Sequence, residues 1–182
     1  MRIFWLIILF ISCQLQAYTS VVDDYDPQTG FYFYLAPVDS NKGALSSVSS
    51  AGGFNNLFIY DPVTKTGRNL FQHNTNQITA LLIPTEFNLQ DKQIAFLNYS
   101  VEIKNNRNLV STNIPARILV EVYDPKTKNY SVWTSPKKES KPDMIFSYQN
   151  PAFWHLDVAS WTIRLVSPAA TGIKVMEYSL QD

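Results

Sequence analysis

Few residues in this chain could do chemistry, and the best-placed pair is His155 and Asp157, within Phe153-Trp154-His155-Leu156-Asp157. In a β-strand, residues two apart share a face. An imidazole beside a carboxylate can serve as an oriented general base, or the two can supply part of a metal's ligand set. The pair therefore supports one candidate reading, a small hydrolase or metalloenzyme using His155 and Asp157. The plainer reading is a polar face opposite Trp154 and Leu156. His73, the second histidine, sits in a polar loop (QHNTNQ). No Gly-x-Ser-x-Gly nucleophile turn occurs. Gly52-Gly53 is the lone glycine pair and opens no helix, so no phosphate-cradling loop is expected. Asp23, Asp24 and Asp26 crowd together as hard oxygen ligands for calcium would. They lack an EF-hand pattern and read as a solvated acidic segment. Neither a cofactor nor a metal is expected.

Aromatic residues are the second candidate set. Beyond residue 17 the tryptophans are Trp133, Trp154 and Trp161. Buried rings build cores, each covering roughly 150–250 Å², whereas exposed rings stack on sugars or peptides. Trp133, beside a loop, is the best placed to be exposed. Trp133, Trp154 and His155 are the candidate ligand-binding residues. A carbohydrate-binding module would show two or more tryptophans on one exposed face.

Residues 1–17 read as a secretory signal: Arg2, an apolar run from Ile3 to Ile11, then a polar stretch ending in Ala17. The run is much shorter than the roughly 20 residues of a bilayer span. Cleavage after Ala17 would release a soluble domain. Alternatively, Phe10-Ile11-Ser12-Cys13 resembles a bacterial lipobox, which makes Cys13 the lipidation candidate. The chain is expected to be exported: periplasmic, secreted or tethered to the outer membrane. Cys13 is the sole cysteine, so no disulfide is expected to staple the fold. Lys+Arg and Asp+Glu are both 15, so no basic face is implied and nucleic acid is not an expected partner. A membrane would enter only through a lipid anchor at Cys13. The partner, protein or glycan, is not named by the sequence.

The elements that must position these residues are strands. Runs of aromatic and β-branched residues recur at 31–35, 57–60, 69–72, 78–83, 93–103, 117–123, 130–134, 144–148, 153–158, 161–166 and 173–180. Several alternate apolar and polar residues, the habit of antiparallel strands with one buried face and one wet face. The best helical stretch, 85–92 (TEFNLQDK), is a single short turn. Long loops are expected at 40–53 and 135–143. Residues 18–182 are expected to form one domain; the whole chain is 46% hydrophobic and 16% charged, enough apolar side chain for a single core.

Tyr-Asp-Pro-x-Thr occurs at 25–29, 60–64 and 123–127. Proline pre-sets the first corner and the aspartate accepts a backbone N–H two residues on, which makes a turn. The second and third copies lie between strand signals and read as β-hairpins. Either the turn chemistry alone recurs, or a unit of about 60 residues repeats. Asn56-Leu57-Phe58-Ile59-Tyr60-Asp61-Pro62 with Arg68-Asn69-Leu70-Phe71 resembles the outer hairpin of a TolB-type β-propeller blade, and residues 120–133 resemble it more loosely. The resemblance implies a binding scaffold with an envelope location in bacteria, and it carries no catalytic residues. The Ser-Pro-Asp-Gly turn of such blades is absent. Three partial units also stand against the four to eight blades of a propeller. The expected fold is one all-β antiparallel domain, either a sandwich or a small, incomplete propeller-like assembly of hairpins. The expected function is an exported, non-enzymatic binding or interaction protein of the cell envelope. The alternatives are the sugar-binding module and the His155–Asp157 enzyme.

Overall fold

The computed structural model describes residues 25–37, 53–73, 77–88, 93–97, 99–102 and 113–181. Residues 1–24, with Cys13, Asp23 and Asp24, and nearly all of the 40–53 loop lie outside the described residues. Fourteen strands and no helix are found among them: β1 (Tyr25–Asp26), β2 (Phe31–Pro37), β3 (Phe54–Asp61), β4 (Thr66–Asn69), β5 (Gln77–Leu82), β6 (Pro84–Asn88), β7 (Gln93–Phe96), β8 (Tyr99–Glu102), β9 (Arg117–Asp124), β10 (Asn129–Pro136), β11 (Asp143–Tyr148), β12 (Phe153–Asp157), β13 (Thr162–Ala169) and β14 (Gly172–Ser179). The chain is an all-β antiparallel domain. Eight strands form one open sheet in the order β1-β2-β3-β5-β9-β10-β11, with β4 beside β3; β12-β13-β14 and β6-β7-β8 form two smaller sheets.

Local chemistry writes the hairpins. All three Tyr-Asp-Pro segments connect paired strands: β1 to β2, β3 to β4, and β9 to β10. In each, an aspartate Oδ1 accepts the backbone N–H two residues on, from Gln28 (3.1 Å), Val63 (2.8 Å) and Lys126 (2.9 Å). Four residues after each aspartate the backbone turns left-handed, at Gly30, Lys65 and Lys128. A fourth copy has no proline. Asp157 accepts the N–H of Ala159 at 3.0 Å, Trp161 takes the left-handed position at φ 48°, and β12 pairs with β13. A bulky residue there is strained. Trp161 is held by burial at 1% exposure. Leu180 also donates its N–H to the Trp161 carbonyl at 2.8 Å.

The large sheet folds over itself. β3 meets β5 through one residue pair, Phe54 with Ile78, which makes a corner. Phe31, Phe33, Leu57 and Ile59 from one side of it then share a core with Ile118, Val120 and Val122 from the other. A buried ion pair ties the two sides. Lys137, after β10, sits 3.0 Å from the Asp26 carboxylate, and both side chains are fully buried. Lys137 Nζ also donates to Gln28 Oε1 and to the Pro84 carbonyl. Burial pushes the Lys137 ammonium below its ordinary pKa, and Asp26 acts against that shift. Arg68 on β4 reaches the same segment, donating to Ser140 Oγ and the Lys137 carbonyl.

A second core lies on the other side of β9–β11. Leu119, Val132 and Phe146 meet Ile163 and Leu165 of β13, together with Ile94 and Phe96 of β7. β9 is therefore covered on both faces, although its alternation reads as one buried and one wet face. Other expectations need correction. The run at 93–103 is two paired strands, β7 and β8. The helical turn at 85–92 is strand β6 where described, because it pairs with β7. The 69–72 strand falls earlier, at Thr66–Asn69, because the turn at Asp61 sets its register. The 135–143 loop is shorter, since β10 runs to Pro136 and β11 begins at Asp143.

Candidate binding face

The face of the large sheet opposite the first core differs between the sheet's two ends. At one end, register sets Tyr25 opposite Tyr32 and Tyr32 opposite Tyr60, so three tyrosines cross β1, β2 and β3 in a row. Tyr34 and Phe58 pair in the neighbouring row. Alternation puts Phe31, Phe33, Leu57 and Ile59 inside and these aromatics outside. Tyr25 is 48% exposed, Tyr32 38%, Phe58 37% and Tyr60 37%. The Tyr25 and Tyr32 rings tilt together at 5.2 Å. Gly67 on β4 stands opposite Tyr60 and, having no side chain, ends the row there. The Phe58 ring lies over that glycine, where any Cβ would collide with its Cζ. Val63, at the tip of the β3–β4 hairpin, is the most exposed large hydrophobic residue among those described, at 88%.

At the other end, Tyr123, Tyr130 and Tyr148 form the equivalent row across β9, β10 and β11. The Tyr123 ring tilts against Tyr130 at 4.7 Å, and Tyr130 stacks on Tyr148 at 5.2 Å. This row is half-buried, and its polar atoms are engaged. Glu121, one turn of the pleat away, accepts the Tyr148 hydroxyl, Trp154 Nε1 at 2.7 Å and Thr79 Oγ1 at 2.6 Å. Burial first, then the Glu121 carboxylate, raises the Tyr148 pKa well above the ordinary phenol value. The sheet β12–β14 supplies Trp154 and covers this end through the second core.

The residues singled out from sequence fall in three different places. Trp133 rests half-buried against the first core, edge-on to Phe71 at 5.6 Å, and donates to Ser131 Oγ at 2.9 Å. Trp154 packs against the second core. His155 is exposed on the outward face of β12. Asp157 shares that outward face, as the spacing predicts, but it is occupied: Oδ1 caps the fourth turn and Oδ2 accepts Arg164 at 2.5 Å. Arg164 also bonds Glu177, and it holds the Asp157 pKa below the ordinary carboxylate value. His155 pairs across the strands with Arg164, a cation that would not share a metal with it. Among the described residues no group of three or more His, Cys, Asp or Glu could hold a metal ion. Sequence reasoning passes over the exposed tyrosines. Their signal is Phe31-Tyr32-Phe33-Tyr34, where alternation makes both faces aromatic and one of them must meet something other than the core.

No family model matches this chain, and neither a curated protein nor a solved structure matches it.

Proposed function

We propose that this chain is an exported, non-enzymatic binding protein of the cell envelope, and that the row Tyr25, Tyr32, Tyr60 with Phe58 is its docking surface for a partner protein. The observation that carries the reading is the clustering of four exposed aromatics on one sheet face. Scattered apolar side chains are ordinary on a surface, whereas a contiguous apolar patch marks an interaction site. Tyrosine suits such a site because a rigid ring is buried at small entropic cost and the hydroxyl finds a partner. The leader at 1–17 supports export. A glycan is the second candidate ligand, since sugar rings stack on aromatic faces. The protein reading is favoured because the exposed row is built of tyrosine and phenylalanine, while Trp133, Trp154 and Trp161 all contact the cores.

The test compares capture of envelope components by the natural chain and by a Tyr32→Ser/Tyr60→Ser variant. The expected result is a defined, protease-sensitive partner retained by the first and lost from the second. Equal capture by both would remove the face from the account. Retention of purified polysaccharide after protease treatment would replace the protein partner with a glycan.

A further inference from the structure

We propose that the outer edge of β14 is a self-association surface, pairing antiparallel with β14 of a second copy to make one six-stranded sheet from two three-stranded ones. An edge strand exposes unpaired backbone donors and acceptors, and proteins blunt such edges by keeping them short, bulged or broken by proline. The edges of the other strands follow that rule among the described residues. β1 has two residues, β4 and β8 four each, and β12 five. β6 and β11 are interrupted by register shifts. β14 is the exception. It pairs with β13 over all eight residues with no shift and contains no proline. A single lysine, Lys174, lies near its middle.

The end of this hairpin also projects. Every residue from Pro168 to Val175 is exposed, so neither face of that stretch rests on the body. Ile173 is 71% exposed and Val175 45% exposed on the outward side, beside Phe153 at 57%. A projecting ribbon with bare apolar side chains is stabilised by something that covers it. A second copy fits for two reasons. An antiparallel strand edge is its own complement under two-fold rotation. Antiparallel pairing sets the Gly172 end of one strand beside the Ser179 end of the other. The rotation also keeps the outward faces of both copies on one side, so Ile173 and Val175 of each copy share a face across the seam.

Sedimentation equilibrium of the chain in the form its host produces tests this. The natural chain is expected to reach twice the monomer mass. Ile173→Glu/Val175→Glu places a row of three glutamates with Glu177 and is expected to weaken association at least about tenfold. Ile173→Lys/Val175→Lys should also weaken it, and mixing the two variants should restore a heterodimer. Both sites are exposed, so unchanged thermal melts and circular dichroism show that the variants still fold. A natural chain that stays monomeric across the concentration range overturns the proposal. So does a glutamate variant that associates as well as the natural chain.

Discussion

Two rows of three tyrosines lie on the same face of the large sheet, and only one of them is closed. Tyr123, Tyr130 and Tyr148 end in a carboxylate, Glu121, that also accepts Trp154 and Thr79. Tyr25, Tyr32 and Tyr60 end at Gly67 and meet no covering sheet among the described residues. Strand pairing therefore builds both rows in the same way, and what lies above them separates their roles. The covered row stabilises the fold by joining β9–β11 to β12. The open row offers comparable ring surface to a partner. The difference is one of tertiary cover, since the side chains are the same.

The largest effect is expected from breaking the tie that folds the sheet and presents both rows. Lys137→Met leaves Asp26 buried without its counter-ion and should cost about 3–5 kcal/mol in urea unfolding. Adding Asp26→Leu should recover part of that loss, because an apolar pair carries no unpaired charge. Glu121→Leu comes next. It strands the Tyr148, Trp154 and Thr79 donors and should cost about 2 kcal/mol, with the Tyr148 ionisation moving down toward the ordinary phenol range in an ultraviolet titration. Tyr148→Phe should cost about 1 kcal/mol, and it should also change the response to alkali. Because the folded-state pKa of Tyr148 is raised, its contribution is present below about pH 10 and is lost as pH rises beyond that. The stability gap between Tyr148→Phe and the natural chain should therefore narrow in strong alkali. The smallest effect belongs to the open row. Tyr32→Ser and Tyr60→Ser should each change stability by no more than about 0.5 kcal/mol, while removing partner binding. A large destabilisation there would mean that the open row is structural too.

Much of the first half of each row is legible in the sequence. The aspartate turn fixes a four-residue connection, so the tyrosine before it must face the residue seven positions on: Tyr32 for Tyr25 and Tyr130 for Tyr123. The third member of each row is not legible. Tyr60 and Tyr148 arrive through longer connections whose register no local rule sets. Nor does local chemistry show which end of the face β12–β14 will cover. Lys137 is the clearest case of the same limit. In the string SPKKES it reads as solvated, and only the approach of Asp26 from the far end of the chain explains its burial. The fourth turn lacks the proline that marks the others, so Asp157 reads as available for chemistry although its oxygens are engaged. The run at 93–103 shows no break in sequence because the connection between β7 and β8 uses no glycine or proline.

The central claim is that the open row meets a partner and the covered row does not. Placing a benzophenone amino acid at position 60 or at position 130 in the native host, then irradiating, tests it most directly. The account predicts a discrete protein adduct from position 60, lost when Tyr32→Ser is added, and none from position 130. Equal adducts from both positions, or none from position 60, would contradict it.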